Sequence, residues 1–291
     1  MSMRSEISQW VKPMASFGLL FALASGYAAL HGRWDFVGLG CGMLVATVLL
    51  GLLAMRLVPA PDTPAAIPAS LQAICFIIGS IVIGATFVDG LVFHKQLSQG
   101  VPIWSDVRIW LITLGADWFG NGNYLANPML YFVVPFVVLL LAGVNAGALG
   151  LRWGRGTVMT TAMWCALPFA IIASQVQAGT RDPASLSLQI LSHSLQNGFT
   201  EEFLFRGVLQ LAAFRFLPGP WAVVISAVGF GLWHMGLGFT MTGGSDPVLA
   251  IAVTVLFQSV IGLILGHMAY RTGSLIAPSI AHVTFNVAAG G

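Results

Sequence analysis

The chain has 291 residues, of which 57% are apolar and only 8% charged, where a water-exposed domain carries roughly 25% charged residues. Twelve Lys/Arg and ten Asp/Glu leave a net charge of +2, too little to coat a solvated surface of this size or to offer nucleic acid a basic face. A soluble enzyme, a disordered chain and a nucleic-acid-binding protein are excluded, and continuous apolar runs without alternation exclude a β-barrel.

What remains is an all-α, polytopic membrane bundle. A span needs about 20 mostly apolar residues. Candidates fall at 14–30, 36–56, 69–93, 129–150, 157–177, 186–214, 221–242, 248–270 and 274–289, which gives 8–9 transmembrane helices. Arg4 and Lys12 before the first run resemble a signal peptide, but the run is long and more spans follow, so it reads as the first span. The four prolines between Pro59 and Pro68 form a stiff connector. Between His94 and Pro128, three tryptophans (Trp104, Trp110, Trp118) with Asp106, Arg108 and Asp117 precede an Asn-Gly-Asn turn at 121–123. That segment is expected to be an interfacial helix and loop. Cys41, Cys75 and Cys165 sit inside apolar runs without ligand spacing and read as small core hydrophobes.

Lys/Arg placement favours a cytoplasmic N-terminus, with Arg4, Lys12, Arg56, Arg152, Arg155, Arg215 and Arg271 inside. Arg33, Lys95, Arg108 and Arg181 then face outside. The chain divides into residues 1–150, transmembrane helices with the interfacial segment and no motif, and 151–291, the core that carries the chemistry.

Ionisable groups at membrane depth cost about 2.5–3.5 kcal/mol each on insertion scales, so they persist where they pair or work. They concentrate in the C-terminal half: His193, Glu201, Glu202 and Arg206 in one span, His234 in the next, His282 and Asn286 in the last. Asp89, near a span end, reads as a snorkelling or capping residue, and His267, beside Arg271, as interfacial. Glu202 and Arg206 are four apart and can form an intrahelical ion pair. Glu201 points about 100° away, and stepping back by fours gives Asn197, His193 and Gln189, a polar stripe facing the interior. An adjacent second carboxylate is more than a structural salt bridge requires. His282 and Asn286, again four apart, share a face and can point at one substrate atom. Counted along their spans, Glu201, His234 and His282 all lie about 10–20 Å from the cytoplasmic boundary, so they can meet in one site open from that side.

Glu-Glu-x-x-x-Arg at 201–206, Phe-x-x-x-His at 230–234 and His-x-x-x-Asn at 282–286, with the Thr-Gly-Ser-Leu lead-in at 272–275, resemble the CPBP (Abi) family of CAAX proteases and bacteriocin-processing enzymes. The Ras-converting CAAX endoprotease is its best-known relative. The resemblance covers about residues 186–291. It implies an intramembrane endopeptidase of glutamic type, in which Glu201 activates a water that His234 positions. It further implies that His282 and Asn286 stabilise the tetrahedral intermediate, while Glu202 and Arg206 orient the others. The substrate is expected to be a membrane-anchored peptide or protein, processed as a CAAX tail, a leader or a C-terminal anchor. No nucleic acid is expected as a partner, and oligomeric state is not readable.

The residues agree with that chemistry, since peptide hydrolysis needs a water, a base and donors aimed at the developing oxyanion. Neither a Gly-x-Ser-x-Gly elbow nor an Asp/Asp pairing of spans is present. No cofactor is favoured; zinc held by Glu201, His234 and His282 is the alternative, as family members are often labelled metalloproteases. Two other functions compete: a transporter or proton-coupled carrier using His193, Glu201 and His282 as a relay, and a catalytically silent scaffold. The compact, loop-poor chain is expected in the bacterial inner (cytoplasmic) membrane.

Overall fold

The computed structural model describes residues 3–58, 67–214, 216–244 and 246–290. Most of the Pro-rich connector, and Arg215, lie outside the described residues. Every regular element among the described residues is helical. In chain order these are α1 (Met3–Leu30), α2 (Trp34–Leu57), α3 (Ala69–Phe93), α4 (Trp104–Phe119) and α5 (Asn123–Leu141). There follow α6 (Thr157–Gln177), α7 (183–213), α8 (Gly219–Trp233), α9 (Met235–Thr242), α10 (Pro247–Thr272) and α11 (Ile276–Ala288).

Six of these helices are long and apolar enough to cross a membrane, and the α8–α9 pair, bent by 50°, makes seven if it is one span. The expected count of 8–9 included two further segments. These are α7, which carries the charged groups, and α11, which has only 13 residues. The expected single span at 221–242 is two helices bent at His234. The expected span at 129–150 begins earlier, at Asn123, and gives way to turns after Leu141. The Trp-rich segment forms α4, with Trp110 and Trp118 exposed, and turns at Gly120 (φ +74°) into α5.

Local chemistry fixes the helix ends that matter for the site. Asp182 caps α7 by accepting from the Ala184 and Ser185 backbone N–H groups, with Pro183 at the first helical position. Asp246 does the same for α10, accepting from Val248 and Leu249 ahead of Pro247. The Leu249 N–H in particular holds the Asp246 carboxyl below its ordinary range. The Thr272–Leu275 lead-in is the turn between α10 and α11. Gly273 closes α10 in the left-handed region (φ +60°), Ser274 donates to the Arg152 carbonyl, and Leu275 N–H pairs with the Gly150 carbonyl.

The packing crosses position 150. Trp10, Phe17 and Phe21 of α1 share one apolar cluster with Val223 of α8 and Leu256 and Leu263 of α10. Cys75 of α3 and Leu149 share another with Phe203 and Leu275. The three cysteines are free, Cys75 and Cys165 buried and Cys41 exposed.

Three polar residues depart from their expected placement. Asp89 is buried and accepts a hydrogen bond from Ser105, with Arg108 4.0 Å away, so it pairs and does not snorkel. His267 is buried, edge-on to Trp10, with neither ring nitrogen hydrogen-bonded to a described residue. Arg271 is buried in an ion pair with Glu6 and also donates to the Met55 and Val58 carbonyls, 3.0 and 2.7 Å away. That one guanidinium ties the start of α1, the end of α2 and the end of α10. Removing one member of a buried pair strands its partner's charge. Arg271→Ala is therefore expected to lower stability by about 3–5 kcal/mol, read as a lower unfolding midpoint of the detergent-solubilised protein. An unchanged midpoint would contradict the tie.

Candidate active site

The site is assembled on α7, α8, α10 and α11, and it begins with an irregularity in α7. That helix is α-helical over Pro183–His193, widens to a π turn at Ser194–Gly198, and widens again at Phe203–Gln210. The two wide segments bracket the Glu201–Glu202 pair, and π turns inside helices often mark functional sites. The first one also breaks the four-residue phase. The expected stripe from Gln189 through His193 and Asn197 to Glu201 is not continuous. Gln189 and His193 instead line a cavity of about 390 Å³ with Gln196, Ser192 and Tyr124, while Glu201 turns into the bundle.

Close approach of α7 and α11 depends on Gly198. A Cβ there would collide with the Val283 side chain and sit 3.2 Å from the His193 carbonyl. Gly262 does the same for α8 and α10, where a Cβ would come within 2.9 Å of the Ala227 carbonyl and 3.3 Å of Phe230 Cβ.

Glu202 is fully buried, and its Oε1 is shared by two donors. The Arg206 guanidinium donates from 3.1 Å along the same helix, and His282 Nδ1 lies 2.9 Å away from α11. Arg206 also donates to the Gly262 carbonyl at 2.9 Å and stacks over the Phe230 ring, 4.6 Å from its centroid. Four helices thus meet around one carboxylate.

Glu201 is buried beside this knot. Its Oε2 lies 3.5 Å from His234 Nε2 and 3.9 Å from His282 Nε2, and it makes no hydrogen bond to a described residue. His234 occupies the break between α8 and α9, and its Nδ1 lies 2.8 Å from the Phe230 carbonyl. A carbonyl only accepts, so Nδ1 carries a proton and Nε2 is the ring nitrogen turned to Glu201. Of the three convergent side chains His234 is the most exposed, at 16%, against 4% for Glu201 and 6% for His282. It therefore forms the accessible wall of the site.

Asn286 lies one turn beyond His282 on the same face of α11, half-buried. His193 stands apart, in the cavity beside Tyr124. Measured along their helices from the end shared with the N-terminus of α1, Glu201, His234 and His282 sit roughly 9–23 Å deep at about 1.5 Å per residue. Their side chains nevertheless converge, both imidazole Nε2 atoms lying within 4 Å of Glu201 Oε2. Among the described residues no three His, Cys, Asp or Glu side chains are placed to hold a metal ion.

The sequence did not announce Phe230 as a site residue in its own right. Its carbonyl orients His234, and its ring touches His234 (4.4 Å), His282 (5.8 Å) and Arg206. The Phe-x-x-x-His spacing carried that signal, because a helical carbonyl four residues back is the one a side chain at a helix end can reach. Trp233 and Tyr131, edge-on to each other at 5.5 Å, add an aromatic wall beside His234 that no motif indicated.

The two carboxylates should respond differently to substitution. Glu202→Ala leaves Arg206 buried without a counter-ion and is expected to cost about 3–5 kcal/mol of stability. Glu201→Gln removes a charge that no guanidinium contacts, and is expected to stay within about 1 kcal/mol of the parent. Thermal unfolding of both variants in detergent checks the contrast, and equal losses would contradict it.

Residues 183–288, which contain α7 to α11, match the family model described as type II CAAX prenyl endopeptidase, Rce1-like. Comparison with curated proteins and with solved structures gives no match.

Proposed function

From a chain whose residues 183–288 belong to the CPBP/CAAX protease family, we propose an intramembrane endopeptidase in which Glu201 activates water against a peptide bond of a membrane-anchored substrate. The observation that carries the reading is the convergence of Glu201 Oε2 with the Nε2 atoms of His234 and His282, 3.5 and 3.9 Å away.

A water donating one hydrogen to the Glu201 carboxylate and the other to the His234 Nε2 lone pair is held and polarised at once. As its oxygen attacks the scissile carbonyl carbon, its proton passes to Glu201 and the carbonyl π pair moves onto oxygen. His282 and Asn286, one turn apart on α11, are the donors for that oxyanion. Donation from His282 Nε2 needs a proton there. Glu202 Oε1, 2.9 Å from Nδ1 and itself held by Arg206, fixes the ring in the orientation that turns Nε2 to the site. When the tetrahedral intermediate collapses, the C–N bond breaks and the departing amine takes the proton from Glu201. The products are a carboxylic acid, which keeps the water's second proton, and an amine; they ionise to carboxylate and ammonium, and Glu201 is ready again.

The family's description names prenylated CAAX tails, and we take the substrate to be of that kind, an apolar lipid anchor carrying a short peptide end. The protein is integral to the membrane, and we place the N-terminus on the cytoplasmic side of a bacterial inner membrane. Glu201, His234 and His282 act without a metal in this reading.

Two measurements test it. Purified protein in nanodiscs is expected to cleave an S-farnesylated CAAX reporter peptide, and Glu201→Gln to lower kcat by at least 1,000-fold, about 4 kcal/mol of barrier, while remaining folded. A Glu201→Gln protein with parental turnover would reject the role. The active preparation is expected to contain well under one zinc per chain and to keep its activity after chelation. Stoichiometric zinc whose removal abolishes cleavage would reject the metal-free version.

A further inference from the structure

Glu201, His234 and His282 account for the bond-breaking step, yet the aromatic wall beside them holds polar atoms that step does not use. Trp233 packs against His234 with ring centroids 4.9 Å apart and, on its other side, against Tyr131 at 5.5 Å. Tyr131 is 2% exposed, its hydroxyl is within hydrogen-bonding reach of the Arg108 guanidinium, and it lies within electrostatic reach of Glu201. Trp104, one turn before Arg108 on α4, packs on the same cluster as Tyr131 and Trp233. Helices α4 and α5, outside the family match, thus meet α8 at the edge of the site.

The hydrogen-bonding atoms there are mostly donors. The Nε1–H of Trp104, the Nε1–H of Trp233 and the Nε–H of Arg108 are all buried, and none has an acceptor among the described residues. Buried donors are normally satisfied, and three orphans together, one of them on a guanidinium, complement an oxyanion. Asp89 does not fill that role. Its Oδ1 is taken by the Ser105 hydroxyl, and its Oδ2 stands 4.0 Å from Arg108 without a hydrogen bond. Asp89 holds the guanidinium beside α3 without occupying its Nε–H. The Arg108 side chain is still 28% exposed, so a ligand can approach it.

We propose that Arg108, with the indoles of Trp104 and Trp233, forms an oxyanion subsite for the C-terminal carboxylate of the peptide substrate. The subsite sets how far from the chain end the bond is cut. This rests on the endopeptidase reading above. Two ring contacts separate His234 from Tyr131, and an extended peptide advances about 3.3–3.6 Å per residue. A carboxylate at Arg108 therefore belongs to a residue a few places beyond the scissile bond. The phosphate of a lipid headgroup has the same chemistry. Two of the three donors, however, sit in the wall that reaches His234, which favours the substrate as the source.

The probe is a fluorescein-labelled, S-farnesylated CAAX hexapeptide in free-acid and C-terminal amide forms. Binding is measured to the Glu201→Gln protein in phosphatidylcholine nanodiscs. The acid is expected to bind at least tenfold more tightly than the amide. Arg108→Gln in the same background is expected to erase the difference, and Arg108→Lys to keep part of it. Equal binding of the two forms, or a preference that survives Arg108→Gln, overturns the proposal. So does a site held by lipid, which native mass spectrometry would report as phosphatidylglycerol retained by the parent and lost from Arg108→Gln, with no acid preference. If Arg108→Gln alone does not fold, the paired change Asp89→Asn/Arg108→Gln removes both charges and must erase the preference equally. The readout is binding by a silent variant. Failure of the wild type to cleave the peptide would strike the endopeptidase reading and leave the acid-over-amide comparison standing.

Discussion

A carboxylate sealed at membrane depth must be surrounded by donors, because removing it from water costs several kcal/mol even after relaxation. Glu202 meets that requirement with two, the Arg206 guanidinium from its own helix and the His282 ring from α11. Arg206 passes the constraint on to α10 through the Gly262 carbonyl and to α8 through the Phe230 ring. Four helices are thereby fixed around one oxygen. The orientation of His282, and with it the side of the site opposite His234, follows from that knot. Each glutamate keeps one Oε2 bound to no described residue, but only that of Glu201 has two imidazole nitrogens near it, whereas Glu202 is held by its Oε1.

The surrounding helices are shaped to permit this. α7 widens into π turns on either side of the glutamates, which costs regular hydrogen bonding but turns both carboxylates inward. The α8–α9 break leaves His234 at a helix end with its Nδ1 on the Phe230 carbonyl. Gly198 and Gly262 let backbones approach where any side chain would hold them apart. Each is a local departure from an ideal helix, and each borders the place where Glu201, His234 and His282 converge.

Much of this was legible in the chain. The charge deficit dictates a membrane bundle, and long apolar runs locate most helices because a bilayer-spanning helix has a fixed minimum length. The Glu202–Arg206 pair follows from helical spacing alone, and the scarcity of charge elsewhere singles out Glu201, His234 and His282. What spacing could not supply was phase. The stripe through Gln189, His193 and Asn197 assumed four residues per turn, and the π turn at Ser194–Gly198 sends His193 into a different cavity. The break at His234 was hidden inside a uniformly apolar run. Partnerships between distant segments were equally invisible. Glu6 with Arg271, and Asp89 with Ser105 and Arg108, join residues that no local pattern connects. His267, read as interfacial from its distance to a helix end, is covered by Trp10 of α1.

In the proposed mechanism Glu201 acts as a base towards water and never becomes covalently bound to the substrate. A single turnover in ¹⁸O-labelled water, with enzyme in excess over peptide, tests this most directly. Direct attack by an activated water predicts one ¹⁸O atom in the newly formed carboxylate of the product and none in the Glu201 side chain. Label in Glu201, or an unlabelled product carboxylate, would mean that the glutamate itself attacked the peptide bond.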